Sequence, residues 1–259
     1  VPRRIGRPGR VRRRRAAGRR SVIPLRDANP TRRAPLVTLV LIAACFIAFA
    51  WELGVLASAG DAGLNRFLTE HGAVPADVSR ALESRQIASD ASLGVLTSLF
   101  LHGGWLHLLG NMLFLWIFGN NVEDRLGRPA FLAFYLLGGT AAALTQVAID
   151  PTSTVPVIGA SGAIAATLGA YVVLYPRARI LSLVFLGFFY QLIEVPALLV
   201  LGFWFVLQVI DGIASLGLSS AAESSVAFFA HIGGFVVGLL IALAIRARGT
   251  GPLRPATVG

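Results

Sequence analysis

A serine and a histidine each sit inside an apolar run, where a polar side chain is costly. Ser161 lies in Gly159-Ala160-Ser161-Gly162 and His231 in Ala230-His231-Ile232-Gly233-Gly234. A hydroxyl and an imidazole that takes its proton are the minimum parts for nucleophilic attack on a carbonyl. Polar groups in segments apolar enough for lipid mark functional sites by default. In a third apolar run His107 and Asn111 stand four residues apart, hence on one face of a helix. Each has a structural reading when taken alone. Ser beside Gly packs membrane helices, a membrane His bonds a backbone carbonyl, and His107 and Asn111 bond helices together, as Gln146 and Gln208 do. Trp51, Trp105, Trp116 and Trp204 read as interface or packing aromatics. The chemistry therefore depends on whether the elements bring these side chains to one depth.

Those elements are membrane helices. Hydrophobic residues make up 55% of the 259, and the mean hydropathy is +0.71, well above soluble domains. A single cysteine, Cys45, leaves no intrachain disulfide. Every basic residue is an arginine, and with abundant Ala and Gly this suggests a GC-rich bacterial genome. Residues 1–34 hold 13 of the 23 arginines and one acid, Asp27. This stretch has no apolar h-region and reads as a disordered basic cytoplasmic tail that anchors topology, with no nucleic-acid partner expected. Residues 249–259 read as a short cytoplasmic tail, and 35–248 as the membrane domain.

A crossing helix takes about 20 apolar residues. The runs that qualify are 34–51, closed by Glu52; 103–119; 129–149; 157–175; 196–211, opening on Pro196; and 224–245. Residues 180–193 are then left as an apolar loop on the membrane surface. Six crossings follow, in an all-α membrane protein with both termini inside. The arginines agree: 20 fall on the inner side, and only Arg66, Arg80 and Arg85 on the outer. The outer segments carry Asp61, Glu70, Asp77, Glu83, Asp90, Asp150 and Glu223 instead.

Under this topology the fourth and sixth spans both start outside, which places Ser161 and His231 within ~10 Å of the outer surface. His107 and Asn111 lie near the outer end of the second. A five- or seven-span count would put His231 opposite Ser161, so the reading requires one crossing between Arg179 and Glu223. Small residues permit close approach: Gly162, Ala166 and Ala170 on the fourth span, Gly234 and Gly238 on the sixth.

At these residues the chain resembles the rhomboid family of intramembrane serine proteases. The matching pieces are His102, His107 and Asn111 on the second span and Glu123-Asp124-Arg125-Leu126-Gly127 after it. Gly159-Ala160-Ser161-Gly162 on the fourth span and Ala230-His231-x2-Gly234-x3-Gly238 on the sixth complete the set. The resemblance implies a six-transmembrane-helix rhomboid-like bundle with Ser161 as nucleophile and His231 as general base. It implies an oxyanion hole of His107, Asn111 and the Ser161 backbone N–H, with His102 in support. Glu123 and Arg125 look like the family's acid–arginine pair in the inner loop. Many members carry Trp-Arg in the first outer loop, where this chain has Leu93-Gly94.

The expected function is an endopeptidase that cleaves single- or multi-span membrane substrates near their outer ends, in the bacterial plasma membrane, with the lipid bilayer as its other partner. No acid lies at the depth of His231, so a dyad held by packing is expected. No cofactor is expected, and HExxH is absent. The alternative is a catalytically inactive rhomboid-like protein that binds membrane segments as a chaperone or adaptor. A transporter would want mid-depth acids and internal repeats, and neither is visible. The oligomeric state has no signature in the sequence.

Overall fold

The computed structural model describes residues 22–27, 29, 31–86, 88–186, 189–215 and 227–249. The arginine-rich residues 1–21, Glu223 and most of the expected C-terminal tail lie outside the described residues.

Helix α1 (Leu36–His71) runs for 36 residues and bends where Gly60 takes φ +65°, ψ −170°. The expected end at Glu52 is not observed. Its carboxylate is buried inside the helix and accepts the backbone N–H of His102 at 3.0 Å, so the charge has an internal partner and the helix continues. Two short helices follow, α2 (Pro75–Glu83) and α3 (Asp90–Thr97), the latter capped by Ser89 Oγ. Leu93 and Gly94 sit in α3. A Cβ on Gly94 would lie 2.5 Å from the Gly72 carbonyl oxygen, so the glycine lets α3 rest on the end of α1.

After a 3-10 turn (Ser98–Phe100), α4 (Trp105–Phe114), a π turn (Leu115–Gly119) and α5 (Asn120–Leu126) run end to end. Helix α6 (Arg128–Ile149) opens on Pro129, where a missing N–H is harmless. Helix α7 (Ser161–Leu174) is shorter than the expected span 157–175, because residues 151–160 are non-helical. Helices α8 (Ala197–Ser215) and α9 (Phe228–Ala247) complete the bundle.

By length and composition, α1, α6, α8 and α9 can cross a membrane, and the pair Asp90–Phe100 and Trp105–Leu126, bent by 78°, makes a fifth candidate. At 14 residues, α7 is about 21 Å long, short of the ~30 Å hydrocarbon core. Six full-length spans are therefore not what the helices supply. The exposed faces are apolar: Ile47, Leu106, Leu199, Phe203 and Leu240 point outward. Lipid is the solvent that makes such a surface stable.

Helix α7 is the centre of the bundle, buried at all but three of its positions. Its close approach to α9 is backbone to backbone, as the small residues predict. A Cβ at Gly234 would overlap the Gly162 carbonyl oxygen, and one at Gly238 the Ala166 carbonyl oxygen. The α7 side chains themselves face α6: a Cβ on Gly162 would meet Ala142 Cβ at 2.6 Å, and one on Gly138 would meet Ala166 Cβ at 2.5 Å. The small stripe on α7 thus serves α6, while its carbonyls serve the glycines of α9.

Two departures from an all-α protein lie together. Strands β1 (Val22–Asp27), β2 (Arg179–Leu186) and β3 (Phe189–Pro196) form an antiparallel sheet in that order. The expected surface loop 180–193 is this hairpin, with Ile180 opposite Val195 and Leu183 opposite Leu192. Arg179 Nε and Glu194 Oε2 pair at 3.3 Å across its base. The tail expected to be disordered contributes β1, whose Asp27 faces Ile180. Asp27 is buried and accepts from Asn121 Nδ2 at 2.5 Å and Tyr171 Oη at 2.9 Å, which ties the N-terminal segment to α5 and α7.

Glu123 is also buried. It accepts from the Val37 and Thr38 N–H groups at 3.0 and 2.8 Å and from Thr38 Oγ1 at 2.7 Å. A carboxylate at the first turn of α1 satisfies orphan donors and favours the helix dipole. The acid of the expected pair with Arg125 spends its bonds on α1, and Asp124 holds the Arg32 and Arg33 N–H groups.

Candidate active site

Ser161 is the first residue of α7, and the chain reaches it through a glycine that no other residue replaces cheaply. Gly159 has φ +120°, and a Cβ there would lie 2.8 Å from His107 Cε1 and 2.9 Å from His107 Nε2. Its N–H donates to the Ser98 carbonyl at 2.8 Å. The glycine thus lets the turn pass beneath the imidazole of α4 just before the helix begins. His231 lies in the first turn of α9. The close packing of α9 on α7 brings His231 Nε2 to 2.7 Å from Ser161 Oγ, a hydrogen-bond distance. The two residues are 70 apart in sequence.

His107 and Asn111 share one face of α4, as their spacing predicts. The Gly103 N–H points at His107 Nδ1 at 3.3 Å, so Nδ1 is the acceptor and Nε2 carries the proton. That N–H faces the turn at Gly159. Asn111 Nδ2 donates one hydrogen to the His107 carbonyl at 3.0 Å, which leaves the second for another acceptor. His102 supports this end. It is buried, its ring centroid is 5.2 Å from that of His107, and its Nδ1 donates to the Phe100 carbonyl at 3.0 Å. Ser98 also lines this end, its hydroxyl donating to the Val95 carbonyl at 2.8 Å.

Ser161, His231, His107, Asn111, Gln146 and Trp204 line one cavity of about 1110 Å³. Non-helical backbone at this depth is tolerated because it borders a cavity rather than lipid. The short α7 is what makes the room. A serine at a helix N-terminus, hydrogen-bonded to a histidine and open to a cavity, is suited to acyl transfer.

Sequence reasoning missed two side chains here. Gln208, read as interhelical glue, places Oε1 2.5 Å from His231 Nδ1. Trp204, one turn earlier on α8, holds its ring centroid 5.9 Å from that of His231, the planes inclined by 38°. Their signal was the i, i+4 spacing of an amide and an indole on one face of an apolar helix. The histidine is therefore held by a hydrogen bond as well as by packing.

Residues 90–248 match the family model described as a Rhomboid domain, which is more than half of the chain. This chain belongs to the rhomboid family. It is 31% identical over 158 residues to Rhomboid protein 1, mitochondrial, of Saccharomyces cerevisiae, covering 58% of this chain and 41% of that protein. It is 33% identical over 167 residues to Rhomboid protease GluP of Bacillus subtilis, covering 64% of this chain and 28% of that protein. RHOMBOID-like protein 5 of Arabidopsis thaliana matches at 33% over 90 residues, 35% of this chain and 29% of that protein. The chain spans less than half the length of these relatives. The rhomboid match contains His102, His107, Asn111, Glu123, Ser161 and His231, the residues that carried the resemblance.

Proposed function

We propose that this rhomboid is an intramembrane serine endopeptidase that cleaves membrane-spanning substrates near their outer ends. The observation that carries the reading is the 2.7 Å approach of Ser161 Oγ to His231 Nε2 at the floor of a cavity. Ser161 attacks the substrate carbonyl while His231 takes its proton; His231 then protonates the leaving amine, and water hydrolyses the acyl-enzyme. The tetrahedral oxygen is received by His107 Nε2–H, the free Asn111 Nδ2 hydrogen and the Ser161 backbone N–H. These donors are fixed before reaction, which is what makes them effective. A stable helix hides its scissile carbonyl, so preferred substrates carry Gly, Pro or other helix-weakening residues near the outer end.

The same reading assigns six crossings with α7 as the fourth, both termini inside, and a bacterial plasma membrane. Arginine placement and the protease named among the Bacillus relatives favour it.

The test is cleavage of a reporter membrane segment in liposomes by the parent protein and by Ser161→Ala, with EDTA present throughout. Cleavage near the reporter's outer end, abolished in the variant, is expected. Equal cleavage by both would remove Ser161 as the nucleophile. No cleavage and no labelling of the parent by a fluorophosphonate would favour a protein that only binds membrane segments.

A further inference from the structure

Ser161 and His231 need more than proximity, because a neutral imidazole has two tautomers and only one can act as base toward Ser161. We propose that Gln208 is a positioning residue: its carboxamide oxygen holds His231 in the Nδ1–H tautomer, which leaves Nε2 to accept the Ser161 proton. This inference rests on the serine-protease reading of the site.

The geometry carries the assignment. Gln208 Oε1 is an acceptor only, and it stands 2.5 Å from His231 Nδ1. A hydrogen on Nδ1 satisfies both atoms. A hydrogen on Nε2 would set two lone pairs against each other at that distance, and would leave Nε2 with nothing to accept the hydroxyl proton at 2.7 Å. Trp204 closes the other degree of freedom. Its ring neighbours the imidazole from the same face of α8, the centroids 5.9 Å apart, and restricts rotation about the bond to Gln208. Both constraints come from α8 and act on a residue of α9, which makes the docking of these two helices part of the site's construction.

The choice of an amide suits its surroundings. A carboxylate in the same place would add a charge in an apolar helix, at a desolvation cost. An amide fixes the tautomer without net charge. It also holds the imidazolium less strongly than a carboxylate, so the proton passes readily to the leaving amine.

The decisive measurement is ¹⁵N NMR of histidine-labelled protein in liposomes at pH about 8, above the ordinary range of imidazole. With four histidines, the His231 signal is assigned by its loss in His231→Ala. The parent is expected to show Nδ1 protonated and Nε2 bare. Gln208→Leu, close in volume, should populate the other tautomer. In the cleavage assay it should lower kcat by about 10²–10⁴-fold, the range for loss of general base catalysis, with KM little changed. Gln208→Glu keeps an acceptor and should restore the tautomer and most of kcat. A parent protonated at Nε2 overturns the proposal, and so does a folded Gln208→Leu with the parent's tautomer and kcat. The NMR result stands even if Gln208→Leu fails to fold. Failure of the serine-protease reading shows separately, as equal cleavage by Ser161→Ala.

Discussion

At the scale of single residues the donors aimed at the serine are the most exposed to test. His107 presents Nε2–H because Gly103 N–H occupies Nδ1. Asn111 is braced by the main-chain carbonyl of residue 107, one turn earlier on α4. His107→Ala and Asn111→Ala should each lower kcat by about 10²–10³-fold with thermal unfolding almost unmoved, the usual cost of one lost oxyanion donor. The double variant should lose less than the product, because both donors serve the same oxyanion. Steady-state cleavage and the rate of fluorophosphonate labelling both read this. Sequence carried most of this scale, because Ser161, His231, His107 and Asn111 are costly in lipid and so stand out. It did not carry Gln208 or Glu52. An amide in an apolar helix and an acid at a span's end both have ordinary readings, and only their partners, His231 and the His102 N–H, separate function or anchoring from filler.

At the scale of elements the site exists because α7 is short and α9 lies against its backbone. Gly238 touches the Ala166 carbonyl, and its substitution must move one helix from the other. Gly238→Val should cost about 1–3 kcal/mol by overpacking and should break the bond from Ser161 to His231. Gly110→Ala on α4 is the control. A Cβ there meets nothing within 4 Å, so stability should be equal or slightly higher. Unfolding midpoints in detergent, with fluorophosphonate labelling of Ser161, separate the two cases. A Gly238→Val protein as stable and as reactive as the parent would mean that the close packing is not required. The glycine stripes were legible because their spacing is helical. The hairpin was not, because 180–193 is apolar enough for a membrane surface. Yet Gly187-Phe188 between two runs rich in β-branched and aromatic residues is a two-residue hairpin signal. Strand β1 was hidden by the arginines around it; Asp27 is held there by Asn121 and Tyr171, partners from distant helices.

At the scale of the whole molecule the two ends do different work. Buried carboxylates anchor the chain at one end: Glu123 caps α1 and Asp27 holds the sheet. Neutral donors and an imidazole gather around Ser161 at the other. The membrane topology that relates these ends turns on α7, whose 14 residues fall short of a crossing by length. Its start is wrapped by protein, so it need only reach the cavity and not the lipid surface. Labelling resolves this, because Cys45 is fully buried in the apolar core and Cys45→Ala removes its thiol without burying a new polar group. Single cysteines at Thr152, Arg177 and Arg248, all exposed, bracket α7 and then α8 with α9. In right-side-out vesicles a membrane-impermeant maleimide should label Thr152→Cys at once, and Arg177→Cys and Arg248→Cys only after lysis. Thr152 and Arg177 on opposite sides would establish that α7 crosses. Labelling of both before lysis would make α7 re-entrant, and would leave the inner side to be reassigned from Arg248 alone.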